Sequence, residues 1–220
     1  MPPTTSKPAR AKGPEFPFPL GRREHRKRET RGQLLAAGRR WFGEAGLYES
    51  RIEDMTKFAG VAKGTLYGYF PSKESLIEAV VQQAFSDLSE AVVPATLAGR
   101  NSSLRVQACI EAHFRFFERE PELLRILHQV RGLLKFNRPE GRPLRGHLER
   151  YLEALAASIA GPRGDRQKAL QLARLAFGAA SGAASTFASL GQPIPGVRES
   201  QALGRGVASL LISASGKRSR

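Results

Sequence analysis

The chain has 220 residues, a formal net charge of +15 and a single cysteine. This length suits one or two domains, and the surplus of 35 lysine and arginine residues over 20 aspartate and glutamate residues favours a polyanionic partner, nucleic acid before an anionic membrane surface. One cysteine excludes an intramolecular disulfide framework and fits a reducing compartment, so we expect a cytoplasmic protein.

Residues 1–21 are predicted to form a disordered basic arm. Six prolines prevent a helix there, and Lys7, Arg10 and Lys12 make the segment basic. It lacks the apolar core of a signal peptide. Two interpretations stay open, an arm that enters the DNA minor groove beside the main contact or an inert tail.

The first predicted helix is amphipathic and spans about residues 25–44. Its apolar residues recur at steps of three and four, and Gly46 ends it. Basic side chains crowd its beginning, where they oppose the helix macrodipole. They indicate phosphate contacts, with a solvated helix start as the alternative. This basic cluster comprises Arg22, Arg23, Arg26, Lys27, Arg28 and Arg31.

Two shorter helices follow the first. Ser50 and Glu53 fit a capping box at the start of the second helix, which spans about residues 51–59. Gly60 suits the left-handed residue that ends this helix, and the third helix spans about residues 62–67. Two helices joined by a glycine turn form a helix-turn-helix, whose second helix enters the DNA major groove.

The segment from Arg31 to Leu76 resembles the DNA-binding domain of TetR/AcrR-type transcriptional regulators. Many residue types agree with that family at fixed spacing. The matching elements are Leu35-Ala36-Ala37, Phe42, Gly46-Leu47-Tyr48, Ser50, Ile52, Ala59-Gly60-Val61, Lys63-Gly64-Thr65-Leu66-Tyr67, Tyr69-Phe70, Ser72-Lys73-Glu74 and Leu76. Three positions depart from the family: Arg51 replaces a usual Thr or Ser, Phe58 a small residue, and Ala62 a common serine.

The resemblance implies an all-α fold with two functional parts. A three-helix helix-turn-helix head at residues 22–76 is followed by a helical ligand-sensing and dimerisation domain at residues 77–220. The helix that starts after Ser72 links the two parts and extends to about residue 93, with Pro94 breaking the helical pattern.

The DNA contacts are assigned from the resemblance and from helix position. Lys63 and Thr65 are the candidates for base edges, and Ala62 can offer a base only an apolar contact such as one to a thymine methyl. The remaining residues occur at helix starts or at the rim, where contacts to phosphates position a head without reading sequence. They are Arg26, Ser50, Arg51, Tyr67, Tyr69 and Lys73. Packing alone is the alternative for Tyr67.

The rest of the chain predicts helices only, since no strand-like alternation of useful length interrupts it. After a break at residues 99–101, the expected helices span about 104–119, 121 to a proline-rich loop at 137–143, 144–159, 165–190 and 197–214. Cys109 lies in an apolar stretch of the first of these helices and is expected to be a small buried hydrophobic residue.

The middle helices are the expected lining of an effector pocket. Their aromatic and leucine content indicates a mostly apolar effector with one or two polar points, and the basic surplus permits an anionic one. The candidates are His113, Phe114, Phe117, Leu127, His128, His147 and Tyr151. A histidine on an apolar helix face also fits a core residue whose hydrogen bonds are satisfied.

The run from Ala176 to Phe187 is rich in alanine, glycine and serine. Arg174 and the mildly apolar character of the run argue against a membrane span, so close helix packing is the better interpretation. In the family, the last two helices of each subunit form a four-helix dimer interface, placed here on about residues 170–190 and 197–211. The candidates are Phe177, Gly178, Ser181, Gly182, Ser185, Val207 and Leu210.

Together these features predict a DNA-binding regulator that acts as a homodimer on a pseudo-palindromic operator in double-stranded DNA, as a repressor released by its effector. The sequence has no metal-ligand spacing, phosphate-binding loop or nucleophile motif, so we expect no enzyme activity, metal or cofactor. Two other classes stay open. A non-specific architectural protein would bind every duplex equally, and a small-molecule carrier with a vestigial head would bind ligand without DNA.

Overall fold

The computed structural model describes residues 21–135, 141–162 and 164–216, and every regular element within them is an α-helix. The helices are α1 (Arg22–Glu44), α2 (Ile52–Ala59), α3 (Lys63–Tyr69), α4 (Lys73–Leu97), α5 (Ser102–Arg119), α6 (Pro121–Lys135), α7 (Gly141–Ala160), α8 (Arg166–Ser189) and α9 (Val197–Gly216). The all-α prediction is confirmed. Residues 1–20 of the expected arm and residues 137–140 of the expected loop lie outside the described residues.

Helices α1, α2 and α3 form the head around one small core. Gly60 ends α2 with φ +66°, a left-handed conformation that glycine adopts at little steric cost. The chain can therefore reverse directly into α3. The side chains at the centre of the head are fully buried and come from all three helices and the loop after α1: Leu34, Phe42, Leu47, Met55 and Leu66.

The predicted capping box at the start of α2 is wrong. The helix begins at Ile52, so Arg51 is its N-cap, and no side chain caps it. Glu53 is then the second helical residue rather than the third, and a capping box requires the third. The Ser50 hydroxyl donates to a backbone carbonyl of the preceding turn, and the Glu53 carboxylate accepts from Lys63 on α3 instead.

Helix α4 links the head to the rest of the chain. Ser72 and Ser75 cap its start reciprocally, since the side chain of each accepts from the backbone N–H of the other at 3.1 Å. The prediction that Pro94 breaks the pattern is wrong, because α4 continues to Leu97. A proline there removes one N–H near the end of the helix, where only a few residues follow.

Helices α5, α7 and α8 pack against one another, with α4 against α5 and α7, and α9 against α5. Their shared core contains the predicted apolar face of α5, and Cys109 is buried as expected. Burial raises the pKa of the Cys109 thiol to about 12, so the thiol stays neutral. In the part of the chain that the structure describes, no helix combines the length and the hydropathy needed to cross a membrane.

Candidate DNA-binding surface, sensor core and the helix between them

The start of α3 forms an exposed surface on the head. Ala62, Lys63 and Thr65 are all exposed there, and Tyr67 follows on the same short helix. Arg26 on α1 and Arg51 before α2 are exposed as well. The surface therefore offers an ammonium, a hydroxyl, a phenol and a methyl group, which are the groups that contact base edges and phosphates.

Lys63 is engaged by a partner within the head. Its Nζ lies 2.5 Å from Glu53 Oε1, and both side chains are more than half exposed. The hydrogen bond and the opposite charge raise the pKa of Lys63 and lower that of Glu53. The sequence pattern predicts a helix cap for Glu53 and does not indicate this pairing, because no periodic pattern relates two residues on opposite sides of the turn.

Three of the assigned phosphate contacts have roles inside the head. Lys73 Nζ donates to the carbonyl oxygens of Tyr48 and Ser50, both at 2.7 Å, and so ties the loop after α1 to the start of α4. Partial burial lowers the pKa of Lys73. Ser50 is only 5% exposed, so its side chain is not brought to the outer surface as predicted. Tyr69 is partly buried and packs against the core.

The predicted sensor core centres on His113, which is fully buried. Its Nδ1 lies 2.7 Å from Cys109 O, which can only accept, so Nδ1 carries the proton. Its Nε2 then accepts from the Tyr151 hydroxyl at 2.6 Å. Burial lowers the pKa of His113 to about 4 and raises that of Tyr151 well above its usual value. Both groups are therefore neutral around pH 7.

Three aromatic rings surround the His113 ring. Those of Phe117, Tyr151 and Phe177 have centroids between 5.6 and 6.1 Å from it. The prediction that Phe177 lies in a dimer interface is wrong, since it is only 7% exposed and packs in this core. Ser181, one turn further along α8, is also buried, donates to Phe177 O and accepts from Arg131 Nη2 at 3.0 Å. This side of α8 is inward because α5 and α7 cover it.

A polar recess opens above the aromatic core between α4 and α7. It has a volume of about 250 Å³, and its lining is Gln82, Phe85, Ser86, Ser89, His147, Arg150 and Tyr151. Arg150 Nη2 donates to His147 Nδ1 at 2.7 Å, and burial lowers the pKa of His147. The Phe85 and Tyr151 rings, with centroids 5.7 Å apart, connect the recess to the core below.

The other lining candidates divide into two groups. Phe114 and Leu127 are buried in the protein core. His128 is exposed and lies 2.7 Å from the Ser185 hydroxyl, in a cleft that borders the end of α1. The structure therefore separates His128 from the His113 cluster, because it projects from a different side of α6 than the buried Leu127.

One side of α6 holds the head through hydrogen bonds. Gln129 accepts from the Leu47 backbone N–H at 2.7 Å and donates to Phe42 O at 3.2 Å, while Arg125 Nε donates to Gly43 O at 2.7 Å. Gly43 permits this approach, since a Cβ there would lie 2.8 Å from Glu122 Cβ. The Arg39 guanidinium on α1 adds ion pairs to Glu120, Glu122 and Asp87.

The next turn of α6 reaches the sensor core. The Arg131 guanidinium carbon lies 5.8 Å from the Phe177 ring centroid, and the same side chain donates to Ser181. Since Phe177 packs on His113 and Tyr151, one helix contacts both the backbone of the head and the aromatic cluster. Gln129 and Arg125 belong to no sequence motif, so the sequence alone does not indicate their contacts with the head.

An apolar face of α8 and α9 stays uncovered within the described chain. Large exposed side chains lie along it: Leu175, Leu190, Leu203 and Leu210, the last of which is 72% exposed. Between Leu175 and Leu190, a Cβ added at Gly178 or Gly182 would meet no heavy atom within 4 Å. Ser185 and Val207 are half-buried. Of the seven predicted interface residues, Gly178 and Gly182 thus flank open space and Leu210 is exposed, whereas the Ser185 hydroxyl faces His128.

The fold and the head can be compared with known proteins. Residues 34–80 match the profile of bacterial regulatory proteins of the tetR family. The activator FasR of Mycolicibacterium smegmatis is 32% identical over 123 residues, which are 55% of this chain and 56% of FasR. The regulator BetI 2 of Chromohalobacter salexigens is 36% identical over 86 residues, 38% of this chain and 42% of BetI 2. The chain thus matches about half the length of these relatives or less.

Solved structures match over more of the chain. The regulator FadR of Bacillus subtilis, in complex with stearoyl-CoA, superposes with a TM-score of 0.67 at 21% identity and covers 83% of this chain and 97% of its own. FadR of Bacillus halodurans gives a TM-score of 0.65 at 18% identity, with 82% and 97% covered. At such identities the likeness establishes a common fold.

Proposed function

We propose that this chain, a member of the TetR family of bacterial regulatory proteins, is a sequence-specific transcriptional regulator that binds double-stranded DNA as a homodimer and leaves it when an effector binds. The observation that carries the proposal is the exposed start of α3, in a head whose first helix and following loop are held by α6, the helix that also contacts a buried aromatic core. We assign residues 22–76 to the DNA-binding head, 77–220 to sensing and dimerisation, and 1–21 to an arm.

The uncovered face of α8 and α9 supports the dimer. Its leucines are costly to leave in water, and the small residues between them allow two helices to approach closely. A second copy of the chain can cover this face with the same face of its own, because a two-fold dimer pairs identical surfaces. Two heads held in this way lie about one DNA turn apart on neighbouring half-sites, and the operator is a pseudo-palindrome.

Effector release follows from the position of α6. An effector that enters beside His113 and Tyr151 displaces Phe177 or Arg131, and this shifts α6 against the backbone of Phe42 and Gly43. The head spacing then no longer fits the operator. Such coupling is commonly worth about 1–3 kcal/mol, so operator affinity drops by roughly one to two orders of magnitude.

The chemistry around the core indicates the kind of effector. The buried rings suit an apolar body, and Arg150 with the serines of the α4–α7 recess suits an anionic or hydroxylated end. The fold neighbour that was solved with stearoyl-CoA contains such a molecule, an acyl chain with an anionic head. Long-chain acyl-CoA is therefore the first effector class to test.

We assign the regulator a repressing role, in which the bound dimer blocks transcription until the effector arrives. The relative FasR is named an activator, so the sign of regulation needs a direct measurement. A reporter gene behind the operator, with and without this chain, gives that sign: repression lowers the reporter signal, and activation raises it.

The proposal is tested by fluorescence anisotropy on duplexes tiled across the DNA that flanks the gene, at physiological salt. A preference of about 10³-fold or more for one pseudo-palindrome over scrambled DNA is expected, with loss of binding on addition of stearoyl-CoA. Equal, steeply salt-dependent affinity for every duplex would instead identify an architectural protein, and effector binding without DNA binding would identify a carrier.

A further inference from the structure

We infer that Glu53 and Lys63 read one G·C base pair of each half-site as a unit, and that Glu53 is a specificity-determining residue of the head. The inference rests on the proposed function and extends it, because Glu53 belongs to α2 and none of the DNA contacts assigned above includes it. In this unit Lys63 donates to guanine O6 and N7, and Glu53 accepts from the cytosine N4 amino group.

The spacing of the two charged groups supports this reading. Lys63 Nζ and Glu53 Oε1 are 2.5 Å apart. Guanine O6 and cytosine N4 are hydrogen-bonded to each other across their base pair, and are therefore about 2.9 Å apart. The protein thus presents a donor beside an acceptor, at a separation about 0.4 Å shorter than that at which a G·C edge presents an acceptor beside a donor.

The pattern in the major groove selects G·C over the other pairs. Lysine on guanine O6 and N7 and a carboxylate on cytosine N4 are both recurrent specific contacts. An A·T pair also has an amino group beside an acceptor, but it adds the thymine methyl group, which disfavours a charged pair next to it. Ala62, one residue before Lys63, is exposed and can take a neighbouring methyl group instead.

The pairing also limits the contacts that Lys63 can make with phosphates. A free ammonium on a flexible stem binds any phosphate and so contributes affinity without specificity. Glu53 accepts a hydrogen bond from the Lys63 ammonium and so holds the Lys63 side chain on the exposed surface beside α3. The carboxylate repels the phosphate backbone, which lowers affinity for all DNA. That cost is recovered only where a cytosine amino group meets the carboxylate.

The test selects a randomised duplex library on the full-length protein and sequences the bound fraction. Wild type is compared with Glu53→Ala and with the matched control Asp54→Ala. Both substitutions remove one exposed carboxylate from the first turn of α2, so they alter net charge and helix macrodipole equally. Thermal unfolding followed by circular dichroism verifies that the variants fold.

Wild type and Asp54→Ala are expected to enrich a motif with a fixed G·C pair in each half-site. In Glu53→Ala the preference for a G·C pair at that position falls at least about fivefold. Affinity for scrambled DNA rises in both Glu53→Ala and Asp54→Ala. A motif in wild type that Glu53→Ala leaves unchanged, or an A·T pair at the altered position, would overturn the inference and leave the proposed function standing. No motif in wild type would overturn both.

A base analogue gives a second, independent readout. The cytosine of the selected pair is replaced by an analogue without its 4-amino group, opposite the same guanine. Wild type is expected to lose roughly tenfold in affinity, and Glu53→Ala to lose little, because the carboxylate that used the amino group is absent. An equal loss in both proteins would contradict the contact between Glu53 and cytosine.

Discussion

In the head, most of the side chains assigned to DNA are exposed, and Lys63 is held by one partner, Glu53. In the sensor core, His113 and its aromatic neighbours are buried, and both ring nitrogens of His113 are hydrogen-bonded. The head is thus built to meet a partner without rearrangement, whereas the core must rearrange to admit one. Stability and response therefore depend on different residues in the two regions.

The substitution with the largest predicted effect separates the two heads of the proposed dimer. Gly182→Leu places a large side chain on the uncovered face of α8, where the protomer itself has open space, so the protomer folds normally. We expect a monomer by light scattering and a loss of roughly 10³-fold in operator affinity, because the avidity of two linked heads disappears.

The matched control for this substitution is Gly132→Leu. Gly132 on α6 also has no heavy atom within 4 Å of an added Cβ, but it lies outside the uncovered face of α8 and α9. This variant is expected to stay dimeric with unchanged affinity. A Gly182→Leu protein of dimeric mass would remove the interface assignment.

The two regions should also differ in their response to pH, since the sensor core has a buried histidine, His113, and the head has none. The folded pKa of His113 is about 4, below its ordinary value of 6.5, so the unfolded chain binds the proton first. Stability from the neutral ring is fully present above about pH 6.5 and is lost as the pH falls towards 4. The loss amounts to about 3 kcal/mol.

Urea unfolding of wild type and His113→Gln between pH 7 and pH 4 measures this contribution. Glutamine can donate to Cys109 O and accept from Tyr151, but it does not titrate. The difference in unfolding free energy between the two proteins should shrink on acidification. His147 and the carboxylates titrate in both proteins and therefore cancel, and parallel curves would show that His113 is not the group that titrates.

The structure of the head could be predicted from the sequence far better than that of the sensor core, for a physical reason. The elements of the head are adjacent in sequence, so glycine turns and helix periodicity define them directly, as at Gly60. The wrong capping box at Ser50 shows the limit, because a one-residue shift of the helix start released Glu53 to a partner across the turn.

In the sensor domain, the helix positions were predictable but the orientation of each helix was not. Helix α8 carries small and apolar residues on several sides. Its sequence therefore does not distinguish the core face, with Phe177 and Ser181, from the open face, with Gly178 and Gly182. The packing of α5 and α7 decides this. Similarly, His128 and Leu127 are neighbours in sequence and point to different environments.

Helix α6 is where the two regions meet, and Gln129 tests that link. Gln129→Met removes the acceptor of the Leu47 N–H and the donor to Phe42 O while keeping the side-chain volume. We expect a loss of about 1–3 kcal/mol in unfolding free energy, because a half-buried N–H loses its partner. We also expect stearoyl-CoA to change operator affinity less than in wild type.

Gln83→Met is the control for this variant, because Gln83 is exposed and bonds only a neighbouring carboxylate on its own helix. Its unfolding free energy should change by less than about 0.5 kcal/mol. An unchanged effector response in Gln129→Met would show that the signal reaches the head by another element, such as α4.

Lys73 has a structural contact inside the head besides its assigned phosphate contact, and we expect its replacement to have the smallest effect. Its ammonium donates to the carbonyl oxygens of Tyr48 and Ser50 and keeps one further proton for a DNA phosphate. Lys73→Ala should therefore weaken all duplexes similarly and reduce the slope of log affinity against log salt by about one unit. It should also lower the unfolding free energy by about 1 kcal/mol, because two carbonyl oxygens at the edge of the head lose their protein donor and are left to water.

Lys57→Ala, which removes an equal charge from the exposed end of α2, separates general electrostatics from this contact. A selective loss on one sequence would instead make Lys73 a reader of bases.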